Sequence, residues 1–520
     1  MNNRLSSIFV LLGCLALAMC IGVNIFAGGQ NVIGKAFYYI TPAAFFFGLM
    51  NPRFSLYALV FSSTLLDVAK RLMIIDNRFS YMDIAFILAF APALLAGMGV
   101  NCFLKAVWSK SDVLKRQLWI FLACLVVSAV LGASYALGNE FGLRSLGDGV
   151  NASAYTFLAF CLPMIMHDRQ DLRKLMIFWC ICYLIPAIWC IKQGMYGLAD
   201  FEYSYLRSGF TNEARQLNEI VMRNMGSLVS ASALSLCLSS LIVMLVIPMN
   251  WKSGRLTFHT WFSLWRVGMV LLLAIGAYYT FSRTGWICGI FAILIFIVLQ
   301  RKWLFYPSMV MALVSVVALY LSADFLFKSD FMNRWQQWLM IHVAKSAESE
   351  QTLVLGTING RLESMANVVH NSHMWTPFGH RFSPEDALAI GNVEVHDVLS
   401  EMLVLVGYIP LSIAGLIGIF VFVLFVKANF NIANEADRNY FRFFIALGSG
   451  LLVAGLSQGK VLFVFPVNFF WCFFFSAAFV VYIRYRESLV KVPQQPAPSV
   501  PEKRRERVPD FPIPARSGRV

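Results

Sequence analysis

The chain has 520 residues, of which 59% are hydrophobic and only 13% charged, with 46 Phe and a mean hydropathy of +0.67. No soluble globular domain carries that balance, so water is excluded as the main solvent of this chain. The net charge of +14 is dispersed over short segments between apolar runs, which excludes the concentrated basic face of a nucleic-acid binder.

A helix needs about 20 apolar residues to cross a bilayer, and runs of that length recur from residue 6 to residue 484. They predict an all-α, polytopic transmembrane helical bundle of about fourteen helices. The expected spans are 6–27, 33–50, 54–69, 83–104, 117–137, 150–166, 175–192, 226–249, 264–281, 284–300, 303–326, 398–426, 440–458 and 461–483. The first is too long for a signal peptide core and lacks an A-x-A site, so it reads as a helix. Only Asn51-Pro52-Arg53 separates the second and third, and Asp67 sits in the third; a re-entrant pair there would keep the same parity.

Lys and Arg near helix ends favour the cytoplasm, and both termini inside collects most of the 42 basic residues on that face. The expected location is therefore a bacterial inner membrane, with long periplasmic loops at 193–225 and 327–397. The eleven cysteines lie in or at the ends of expected helices with no C-x-x-C pair, which reads as apolar packing. Residues 1–484 form the membrane domain. Residues 485–520 turn Pro-rich and basic, as in Lys503-Arg504-Arg505-Glu506-Arg507, and read as a disordered cytoplasmic tail able to meet anionic headgroups. No repeat of fixed period is visible, which weighs against a transporter of two halves.

The loop 327–397 is far longer than a connector needs. Phe331, Trp335, Trp338, Leu339 and His342 recur at helical spacing, as do Leu362, Met365, Val369 and His373, so two amphipathic helices on the membrane surface are expected. His370, His373 and His380 raise the alternative of a metal site, while two surface histidines on an amphipathic helix need no ion. His396 stands where water meets lipid, where an imidazole can move a proton or simply snorkel. Arg283 lies in a turn between two apolar runs, an expensive place for a cation unless it is paired or binds an anion. Arginine suits phosphate because its planar fork makes two contacts at once.

The ordered set Phe281-Ser282-Arg283-Thr284-Gly285-Trp286, Gly360-Arg361-Leu362-Glu363, Pro377-Phe378-Gly379 and His396-Asp397-x9-Gly407 resembles the O-antigen ligase and polymerase superfamily. The likeness is sharpest over 275–425, and the ligase-like core spans about 205–425. The resemblance implies a metal-independent, inverting GT-C type glycosyltransferase with no cofactor, using a glycan on undecaprenyl diphosphate. It implies His396 and Arg283 as catalytic residues, with Arg207, Arg215, Arg283 and Arg361 on the donor diphosphate. Asp397, Ser400 and Glu401 would support them. The implied partners are the lipid-linked donor, a glycan or lipid A-core acceptor, membrane lipids, and chain-length or export components. Family ligases usually follow His with Asn, Ser or Gln and end Gly-x-x with Gly, Thr or Tyr, whereas this chain has Asp397 and Pro410. Polysaccharide polymerisation is therefore the expected activity, with ligation to lipid A-core or protein, or a lipid-linked oligosaccharide flippase, as the alternatives.

Overall fold

The computed structural model describes residues 18–26, 28–76, 78–109, 117–138, 151–166, 169–208, 223–228, 230–256, 264–301, 366–368, 370–380, 398–455 and 463–491, with isolated positions between. Every named element among them is helical, and the one β-pairing is an isolated bridge between Met249 and Leu256. Apolar residues on all sides of a segment satisfy their backbone groups only within a helix when lipid is the solvent.

In chain order the helices are α1 Val32–Met50, α2 Pro52–Ile75, α3 Tyr81–Trp108, α4 Leu118–Gly138, α5 Leu158–Ile165, α6 Arg169–Cys182 and α7 Leu184–Tyr196. They continue with α8 Asp200–Arg207, α9 Ala231–Val246, α10 Leu264–Tyr279, α11 Arg283–Gln300, α12 Val398–Val406, α13 Tyr408–Asn431, α14 Glu435–Gly455 and α15 Val467–Lys491. Among the described residues, five stretches are long and apolar enough to cross a membrane: α1, α3, the joined α6 and α7, α13, and Val467–Arg486 of α15. The described residues are thus helical, with several helices suited to a membrane.

Several expected boundaries move. The third span, 54–69, extends to Ile75 and carries Asp67, Lys70 and Arg71 inside the helix. The eighth, 226–249, starts at Ala231, because 223–228 runs as a non-helical strap. The twelfth, 398–426, is broken at Gly407 into α12 and α13. The last helix begins at Val467 and runs to Lys491, past the expected end of the membrane domain at 484. Only 18–26 of the first span is described, and it is helical. The eleventh span, 303–326, and the first amphipathic helix of the long loop lie outside the described residues.

Lipid gives helices no hydrophobic reason to associate, so packing density and polar contacts must hold them. Gly48 of α1 and Gly97 of α3 supply the first, since a Cβ on Gly48 would sit 3.0 Å from Met98 N and a Cβ on Gly97 2.8 Å from Leu49 N. Trp179 supplies it again, fully buried among Phe469, Phe470, Phe473 and Phe474 with ring centroids 4.5–5.9 Å away. Polar contacts tie the ends. Arg53 meets Asp171 at 3.1 Å, Arg169 meets Asp437 at 2.6 Å, and Arg442 donates to Asn429 Oδ1 and Gln300 Oε1 at 2.7 and 2.6 Å.

Candidate functional site

Asn429 Nδ2 donates to Leu299 O at 3.4 Å, which joins the last turns of α11 and α13. The first turns of those helices begin at Arg283 and Tyr408. Both carry motif residues.

The first corner is the turn between α10 and α11. Phe281 has φ +50°, a left-handed conformation that costs a residue with a Cβ roughly 1–2 kcal/mol. Such strain persists only where neighbours fix the backbone, and several do. Ser282 N donates to Thr280 Oγ1 (3.2 Å), Ser235 Oγ donates to Ser282 O (3.1 Å), and Ser282 Oγ lies 3.5 Å from Ser232 Oγ. Gly285 permits this approach, because a Cβ there would lie 2.5 Å from Ser235 O. Arg283 opens α11, and its side chain lies outside the described ones.

Behind the turn is a buried network that the sequence reading did not find. Asn224 Nδ2 donates to Tyr279 O (2.8 Å), pinning the 223–228 strap to the end of α10. Gly226 N donates to Gln193 Oε1 (2.8 Å), and Arg71 Nη1 donates to Gly226 O (2.9 Å) with its guanidinium 5.7 Å from the Tyr205 ring centroid. Glu202, 1% exposed, accepts from Trp189 Nε1 (2.7 Å), Gln193 Nε2 (2.5 Å) and Ala199 N (2.7 Å). Its carboxylate thereby fastens α8 onto α7. Arg207 ends α8, exposed, with no ion-pair partner among the described residues. The available signal was Arg71 itself, a cation four residues after Asp67 in an apolar helix.

The second corner joins two motif segments that are distant in sequence. Gly407 has φ +89° and ends α12, and Gly379 has φ +73°. The two are in backbone contact: a Cβ on Gly407 would lie 2.6 Å from Phe378 N, and one on Gly379 2.6 Å from Val406 N. Four N–H groups at a helix start lack partners within the helix, and here each is accounted for. Gly407 N donates to Leu403 O (3.1 Å), Tyr408 N donates to Thr376 O (3.1 Å), Ile409 N donates to Pro377 O (3.2 Å), and Pro410 has no N–H. Pro410, the departure from the family pattern, thus stands in the first turn, where its missing N–H removes no helix hydrogen bond. His380 N donates to Val404 O (2.8 Å), and Met374 packs with Val368, Leu403 and Val404.

No family model matches the chain, and no curated protein matches it significantly.

Of the other expected site residues, Ser400 is buried and Glu401 half-buried on α12. Arg215, Arg361, His396 and Asp397 lie outside the described residues. His370 turns Nδ1 to Ala366 O at 2.7 Å, while His373 and His380 meet edge to face with centroids 6.0 Å apart. Among the described residues no group of three His, Cys, Asp or Glu is placed to share a metal ion.

Proposed function

We propose that the protein polymerises cell-surface polysaccharide at the periplasmic face of the bacterial inner membrane, transferring glycan from undecaprenyl diphosphate to a sugar hydroxyl. The observation that carries this reading is the meeting of Pro377-Phe378-Gly379 with Gly407, two segments of the family-like pattern joined backbone to backbone. A third, Phe281 to Trp286, forms the turn that opens α11.

The leaving group is a diphosphate, so positive charge in a partly water-excluded site favours the transition state. Arg283 supplies that charge, with Arg207, Arg215 and Arg361 contributing from the loops. His396 takes the proton of the acceptor hydroxyl, which attacks the anomeric carbon opposite the departing phosphate and inverts it. Ser400, four residues on and buried on α12, is the proposed partner of His396. Asp397 and Glu401 complete the acidic surroundings. Asp397 and Pro410, which depart from the ligase pattern, favour polymerase over ligase.

Reconstitution in proteoliposomes with lipid-linked repeat units and added lipid A-core tests this. Growth of a glycan ladder on the lipid carrier is the expected result. Transfer only to lipid A-core would make the protein a ligase, and movement of intact donor across the bilayer without a new bond would make it a flippase.

A further inference from the structure

We propose that Arg438, Arg442 and Gln300 form a binding site for the phosphate of one anionic phospholipid, where the last turns of α11 and α13 meet the start of α14. The inference is independent of the transferase reading, since none of these residues has a part in that chemistry.

A buried charge is expensive unless an opposite charge stands beside it. Arg442 is only 7% exposed, yet its hydrogen bonds go to two neutral amides, from Nε to Asn429 Oδ1 (2.7 Å) and from Nη1 to Gln300 Oε1 (2.6 Å). Among the described residues no carboxylate pairs with it. Asp437, five residues earlier, is held by Arg169 at 2.6 Å, and Glu435 is exposed and makes no ion pair with a described residue. Arg438 adds a second positive charge one turn before Arg442 on the same face of α14, close enough for the two to act on each other. Its Nε is buried with no hydrogen-bond partner among the described residues, and so is Nε2 of Gln300, the amide whose oxygen Arg442 already holds. Donors and positive charge thus collect here without an acceptor. A phosphate supplies both the negative charge and the acceptor oxygens, in a geometry that the planar fork of arginine matches.

The apolar surface beside the site decides which phosphate. Ile290, Leu294 and Ile297 are exposed and recur at i, i+4 and i+7, so they share one face of α11, and Gln300 follows Ile297 by three residues. α13, whose last turn meets that of α11, is long and apolar enough to cross a membrane and exposes Ile419, Phe420 and Val423. A free phosphate uses none of this surface, whereas the acyl chains of a phospholipid lie along it with the headgroup at the helix ends. By the count of Lys and Arg near helix ends, this end is expected in the cytoplasm, the side on which basic pockets between membrane helices take anionic headgroups. The bound headgroup would supply the counter-charge that Arg442 lacks at a contact of three helices.

The test is native mass spectrometry of the purified full chain in detergent, titrated with phosphatidylglycerol. One phosphatidylglycerol should be retained in clear preference to phosphatidylcholine, and Arg438→Gln, which removes one charge-assisted contact, should weaken retention about tenfold. Arg442→Gln can disturb the fold, because Arg442 also holds Asn429 and Gln300. Arg438 holds no side chain among the described residues, and Arg438→Lys, which keeps the charge and loses the fork, should recover part of the loss. Arg255→Gln, which removes an exposed charge elsewhere, should change nothing. A large excess of inorganic phosphate should leave the lipid in place. Equal retention of the two lipids, an unchanged affinity in Arg438→Gln, or an equal loss in Arg255→Gln would each overturn the assignment, as would displacement by inorganic phosphate, which would make the occupant a free anion.

Discussion

The two motif corners are built in opposite ways. At Gly379 and Gly407 the contact is backbone on backbone, with no side chain between the strands of chain and every N–H of the new helix consumed. At the Phe281 turn the backbone is held by side chains, Ser235 and Asn224 in contact with it and Arg71, Gln193 and Glu202 behind them. A backbone junction has no slack, because no rotamer can move aside. A side-chain network can lose a member and redistribute its hydrogen bonds. The difference implies that one corner tolerates no Cβ and the other degrades by steps.

The largest effect should come from Gly407→Ala. Left-handed strain and collision with Phe378 N and Pro377 O together cost about 3 kcal/mol. A fall in the unfolding midpoint of the purified protein in detergent measures it, and a wild-type midpoint would show that the junction is not rigid. Glu202→Ala should cost about 2 kcal/mol by leaving the donors of Trp189, Gln193 and Ala199 without their carboxylate. Glu202→Gln, which keeps an acceptor oxygen, should recover about half of that in the same measurement. Ser282→Ala removes only a 3.5 Å contact and should cost no more than about 0.5 kcal/mol. A Ser282→Ala loss equal to that of Glu202→Ala would mean that the turn, too, is a rigid junction.

These corners also show what could be read from the sequence. Helix type and most helix positions follow from apolar runs, because lipid leaves the backbone few other conformations. The motif residues were visible as a pattern, and Arg283 does open a helix after the expected turn. The break at Gly407 was not read from the sequence, since 398–426 is apolar enough to pass as one span despite Glu401 and Pro410, and the hydrogen bonds that stabilise the break come from Thr376 and Pro377, some thirty residues earlier. The Arg71–Gly226–Gln193–Glu202 network was hidden for the same reason: its members come from four separate segments, and only Arg71, four residues after Asp67 in an apolar helix, stood out in sequence. Likewise, helical spacing paired His370 with His373, whereas a turn at Ser372–Met374 brings His373 to His380 instead.

The most direct measurement of the proposed chemistry is surface glycan made in cells by His396→Ala, compared on a gel with wild type at matched membrane abundance. A positioned proton acceptor contributes a factor on the order of 10² or more, so glycan should be lost. Normal glycan from a His396→Ala protein at wild-type abundance would contradict the catalytic role and leave His396 as an ordinary interfacial histidine.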